Sequence, residues 1–188
     1  AEQLKLQGIT TLSAVAAARP GDIAEAPYLR SVEKLRRLVS QAKSLKTGHA
    51  ITRQVSEWPN GPMVHFDVES DPLAADGAGE VYLWGLLEPP YAAESYDAIW
   101  HETDDFATWQ AFLRVAADYR KRYPDLLLVH YSHYERIKIE HYAERYSAID
   151  DPIVQSLLAE DGPLWDLQKF LKLNYILPVR SYGLKTIC

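Results

Sequence analysis

The sequence predicts an α/β fold, in which a small helical element precedes a mixed sheet of three hairpin-linked strands followed by strands reached through helices. Three observations carry that expectation. Before residue 50, apolar residues recur at helical spacing. Between 63 and 100 the pattern changes to alternation, broken by short spacers rich in Gly, Pro and Asp. Beyond 105, long amphipathic stretches are interleaved with short apolar runs. With 188 residues, 47% of them hydrophobic, the chain can bury the core of one ordinary domain with room for an appendage.

The elements follow in order. Leu4 to Thr10 leads into Thr11-Leu12-Ser13-Ala14-Val15-Ala16-Ala17-Ala18, so Gly8 separates two short helices. From Ser31 to Lys46, Val32, Leu35, Leu38, Val39, Ala42 and Leu45 form one stripe, with Ser31 offered as the cap. Residues 1–50 are thus expected to be helical, and 51–61, ending in Trp58-Pro59-Asn60-Gly61, to be a linker. Met63–Glu69, Glu80–Leu87 and Tyr96–Trp100 read as strands, and their short spacers favour antiparallel hairpins. A helix over about 105–122 presents Phe106, Trp109, Phe112, Leu113 and Ala116 on one face. Leu126–His130 reads as a buried strand reached by a helical crossover. Helices over 133–146 and 151–160, a short strand at Leu164–Asp166 and a helix over 167–173 complete the series. This order resembles an RNase-H-like sheet, assigned here to residues 62–188.

Composition narrows the setting. No stretch approaches the roughly 20 apolar residues of a membrane span, and Ala1-Glu2-Gln3 has none of the marks of a signal peptide. The one cysteine, Cys188, allows no internal disulfide and no cysteine-based zinc site. A cytoplasmic protein without membrane attachment is expected. The net charge of −6 is unevenly spread: residues 1–56 hold nine Lys/Arg against four Asp/Glu, and the remainder holds 11 against 22. A basic front suits a polyanion, and an acidic body supplies carboxylates.

Asp67 and Glu69 lie two apart on the first predicted strand, so both carboxylates project from one face. Hard oxygen ligands of this kind suit Mg²⁺ or Mn²⁺. With 26 acids in the chain, chance alone supplies pairs at that spacing, so position decides. Acids in a central strand are costly unless they bind something. Glu135 opens the helix after the second buried strand, where the helix dipole also favours an acid. If the two strands are parallel neighbours, Glu135 reaches the same cation, and the three carboxylates converge on one cavity. His130-x-x-His133 has the residue type of zinc ligands but lacks cysteine partners.

Four motifs occur in one order: Phe66-Asp67-Val68-Glu69, Leu127-Leu128-Val129-His130-Tyr131-Ser132-His133-Tyr134-Glu135, Trp165-Asp166-Leu167 and Ser181-Tyr182-Gly183-Leu184-Lys185. Together they resemble the predicted RNase-H-like, RecB-like nucleases of bacteria within the DEDD exonuclease superfamily. The resemblance implies phosphodiester hydrolysis of DNA or RNA with two divalent ions, Mg²⁺ or Mn²⁺. Asp67, Glu69 and Glu135 would be the metal ligands and catalytic acids, Glu135 standing where the wider superfamily commonly has Asp. Tyr131, His133 and Tyr134 would position water or substrate, and Asp166 would cap the following helix. The family's fourth acid is expected beyond Cys188, which implies further chain past that residue and a weak or inactive site in these 188 residues. The two N-terminal helices resemble a helix-hairpin-helix, whose turn at Gly8 and Thr10, with Arg36 and Arg37 nearby, would grip the nucleic-acid backbone. The alternative is a non-catalytic nucleic-acid-binding or scaffolding module of a larger repair or processing protein.

Overall fold

The computed structural model describes residues 4–5, 8–19, 32–54, 56–71, 73, 80–101 and 104–187. In chain order the elements are helices α1 (Leu12–Ala17) and α2 (Val32–Thr47), strands β1 (Ile51–Thr52), β2 (Met63–Asp71), β3 (Glu80–Leu87) and β4 (Tyr96–Ile99), then helix α3 (Asp105–Arg122). Strand β5 (Leu127–His130), helices α4 (Tyr134–Arg145) and α5 (Pro152–Leu158), strand β6 (Leu164–Asp166), helix α6 (Leu167–Asn174), strand β7 (Tyr175–Ile176) and helix α7 (Leu184–Ile187) follow. The chain divides into two compact units, one formed by Trp58–Leu167 and the other by Ala1–Glu57 together with Gln168–Cys188.

The unit Trp58–Leu167 is built on a five-stranded mixed sheet of order β4-β3-β2-β5-β6. Strand β3 runs antiparallel to both neighbours, whereas β5 is parallel to β2 and β6 parallel to β5. Strict alternation in β2 decides its two faces: Val64, Phe66 and Val68 are buried, and His65, Asp67 and Glu69 are exposed. Register extends the buried row, because Val64 lies beside Leu128 and Leu128 beside Leu164. Helices α3, α4 and α5 cover this face with Trp109, Phe112, Ala116, Ile139, Tyr142, Val154 and Leu157. At its centre the Trp84 and Phe112 rings stack at 4.4 Å. The β2–β3 register shifts between Glu69 and Ser70, where Tyr82 is the extra residue on β3.

Polar ties inside this unit fix helices to sheet. The Tyr142 hydroxyl accepts from the Val81 amide at 2.7 Å and donates to Asp105 at 2.5 Å. Tyr146 donates to the other oxygen of Asp105 at 2.7 Å, and Arg145 pairs with it at 3.2 Å. Asp104 caps α3 by accepting from the Ala107 amide, and Asp151 caps α5 by accepting from Ile153. Gly61 is required where it stands. Its φ is +144°, and a Cβ there would collide with the Asp125 carbonyl oxygen.

In the other unit, Leu4 and Lys5 are helical and end in a Schellman cap: Ile9 donates to the Leu4 carbonyl and Gly8, at φ +75°, to Lys5. Thr11 then caps α1 by accepting from the Ala14 amide. The stripe Leu35 and Val39 on α2 packs with Leu4, Ile9 and Ala18. Strand β1 pairs antiparallel with β7, and buried Ser44 donates to the carbonyls of His49 and Ile176. Tyr182 fastens β7 by accepting from the Leu177 amide and donating to the Tyr175 carbonyl.

The observed elements from β2 to α6 follow the sequence reading closely. Two features depart from it. Ile51 and Thr52, expected in a linker, form a strand, and residues 168–188 belong to the unit of the N-terminal helices, not to that of the sheet. Ser31, offered as the cap of α2, lies outside the described residues.

Candidate active site

The carboxyl ends of parallel strands are where loops gather functional groups in α/β sheets. Here the parallel strands are β2, β5 and β6. Asp67 and Glu69 sit in the second half of β2, on the face away from α3, α4 and α5. Their partners on β3 are Gly85 and Leu83, so no basic side chain stands directly opposite either acid. Exposure explains how a central strand tolerates two carboxylates, since each stays solvated.

Glu135 takes a different position. It lies in the first turn of α4, where the dipole favours an acid, yet it is only 4% exposed. Its Oε2 is 3.3 Å from Nδ1 of His130, itself 5% exposed. Neither atom has a hydrogen bond. Alternation along β5 places His130 on the side of Leu128, which is the helix-covered side. The acids expected to converge therefore stay apart: Asp67 and Glu69 line the open face, while Glu135 is sealed against His130. Among the described residues no group of three or more His, Cys, Asp or Glu is placed to hold a metal ion.

The loop from β5 to α4 holds the remaining predicted positions. Tyr131 is half-buried, and His133 is exposed at the α4 N-cap without a side-chain cap bond. The Tyr134 hydroxyl is hydrogen-bonded to Ser70, one residue beyond Glu69, which ties α4 to the end of β2. Ser132 adopts φ +80°, and its amide donates to Oδ1 of Asp166 at 3.1 Å. Asp166 thus braces the β5–α4 loop, a role that its place before a helix does not reveal. Sequence reasoning also missed Lys138, which is 4% exposed, with Nζ 5.3 Å from the Tyr134 ring centre. Spacing on α4 gives a clue, because Glu135 and Lys138 are three apart and share a face.

No protein-family model, curated protein or solved structure matches the chain.

Electrostatics separates the two units more sharply than the linear halves of the sequence. Trp58–Leu167 carries 21 Asp/Glu against seven Lys/Arg, a balance of −14, and the other unit carries 13 Lys/Arg against five acids, a balance of +8. On α2, Lys34, Arg36, Arg37 and Lys43 are all exposed. Lys34 and Arg37 occupy one flank of the buried stripe and Arg36 and Lys43 the other, so the charge is spread over two flanks. The amides of Gly8 and Ile9 are engaged in the Schellman cap and point back into the chain, not outward to a phosphate. Thr10 is exposed beside them. Among the described residues no helix is long and apolar enough to cross a membrane.

Proposed function

We propose that the protein is a divalent-metal-dependent nuclease, acting exonucleolytically on DNA or RNA, with its acidic unit built on an RNase-H-like sheet. The observation that carries this reading is the strand order β4-β3-β2-β5-β6 with β3 alone reversed, and an exposed Asp67–Glu69 pair on its central strand. Asp67 and Glu69 would hold the ion. Two carboxylates suffice for Mg²⁺ of the kind that completes its shell with water and substrate phosphate oxygens. When held by Asp67 and Glu69, such an ion would supply an acidified water and charge stabilisation for a departing oxygen. The chain's own part is to hold both acids on a rigid strand, and to supply a basic unit for the sugar–phosphate backbone.

A second ion, as the resemblance implies, requires Glu135 to leave His130. That requirement favours one competing reading, a nucleic-acid-binding module without catalysis, in which Glu135 is a structural tie. The test uses the full natural chain with end-labelled single-stranded DNA and RNA in Mn²⁺, beside Asp67→Asn. Stepwise shortening that disappears in Asp67→Asn is expected, and the label that shortens names the substrate. Binding without cleavage in both proteins would overturn the nuclease and leave the non-catalytic module.

A further inference from the structure

We propose that a pocket beside the Asp67–Glu69 pair seats an unpaired nucleobase, stacked on Trp100 and Tyr82, and prefers bases that carry an exocyclic amino group. The route of the phosphates past the acid pair rests on the nuclease reading; the pocket itself does not. It has a volume of about 470 Å³ and is lined by Tyr82, Leu83, Ala98, Trp100 and His101, within the size range and apolar character of small-molecule sites. Register fixes its place. Leu83 is the cross-strand partner of Glu69, and Ala98 is the partner of Gly85, which is in turn the partner of Asp67. Pocket and acids share one face of the sheet, one to two strands apart, which at the usual strand spacing is about 5–10 Å.

The lining fits a flat aromatic ring. Trp100 is 64% exposed and Tyr82 52%, whereas Phe66, Trp84, Trp109 and Phe112 are packed ring against ring in the core. An indole and a phenol left open to water on a sheet face offer the stacking surface used for unpaired bases.

The neighbouring acids set which ring, and which way round. A second pocket of about 400 Å³ shares Tyr82 and His101 and is lined also by Asp71, Glu80, Asp104 and Asp105. Asp105 is engaged by Tyr142, Tyr146 and Arg145; Asp71 and Asp104 each accept one local amide through Oδ1, from Leu73 and Ala107, and with Glu80 they are exposed. Carboxylates repel phosphate, so no backbone lies there. They accept hydrogen bonds from the amino groups of cytosine and adenine, as acidic side chains do when they read cytosine. Thymine and uracil present a carbonyl oxygen at that edge and are disfavoured. The ring therefore occupies the apolar pocket with its amino edge toward the acids.

The experiment is performed on the full chain in EDTA, so that neither binding nor its loss depends on a metal. Fluorescence anisotropy compares single-stranded decamers of dC, dA and dT with an abasic decamer of equal charge. We expect dC and dA to bind more tightly than dT or the abasic strand. Trp100→Ala should weaken dC binding by about 5- to 100-fold and leave abasic binding unchanged, while Trp100→Phe retains most of the affinity. Asp71→Asn combined with Glu80→Gln should close the gap between dC and dT. Equal binding of dC and abasic strands, or no effect of Trp100→Ala, would overturn the pocket. Base selectivity without Mn²⁺-dependent cleavage would defeat the nuclease and spare the pocket; cleavage without base selectivity would do the reverse.

Discussion

Read from sequence, Asp67 and Glu135 look like members of one set, yet their surroundings give them different energetics. Asp67 is solvated, so replacing it by Asn removes charge at little structural cost, within about 0.5 kcal/mol. Glu135 and His130 are buried together at 3.3 Å. Truncating Glu135 takes away that charge contact and leaves a void beside buried His130, which costs on the order of 1–3 kcal/mol. Glu135→Ala should therefore lower the urea midpoint clearly, and Asp67→Asn should not. Equal midpoints for the two variants would show that the buried pair contributes nothing. The exposure of Asp67 and Glu69 was legible in the sequence, because alternation in β2 leaves no choice of face. The partnership of Glu135 was not. Its partner lies five residues back across a strand-to-helix break, and the path turns on Ser132 at φ +80°, a conformation that serine rarely advertises.

At the scale of elements, α3 and α4 are joined through tyrosine hydroxyls on Asp105, and α3 is joined to β4 by Tyr119, which donates to Asp97 at 2.8 Å. Burial first, and then the neighbouring carboxylate, pushes all three phenols above the ordinary value of 10.0: Tyr146 to about 12, Tyr119 and Tyr142 further still. The sign follows from linkage. In the unfolded chain these phenols release their protons near pH 10, while the folded chain holds them, so their contribution is whole below pH 10; that of Tyr146 is lost as pH rises through about 12, and that of Tyr119 and Tyr142 over a window reaching higher still. Urea midpoints should hold steady up to pH 10 and then fall, and the fall should be smaller in Tyr146→Phe. A midpoint that rises or stays level between pH 10 and 12 would contradict this account. Long elements such as α3 and β2 were readable from periodicity because many residues vote for one pattern. Strands β1 and β7 were not, since two residues each carry no period, and their pairing is secured by distant groups such as Ser44, Asn174 and Tyr182.

On the scale of the whole molecule, the balance of +8 on one unit against −14 on the other predicts how a polyanion is received. Affinity for single-stranded DNA should fall linearly on a log–log plot against salt, and substituting the pair on one flank of α2, Arg36→Glu with Lys43→Glu, should reduce the slope by about two. A slope unchanged by the double substitution would remove that flank of α2 from the contact. The linear reading saw a basic front but missed Lys169, Lys172, Arg180 and Lys185, because nothing local tells that residues 168–188 return to the first unit. That return has a consequence in time. The acidic unit is a continuous stretch of 110 residues, 58 to 167, but the basic unit is interrupted by it and is closed by the pairing of β7 with β1. On a ribosome adding about 5–20 residues per second, α2 and β1 wait roughly 6–25 s for their partner strand. The sheet unit can reach its native packing during that interval, so residues 1–57, made before it, are finished after it.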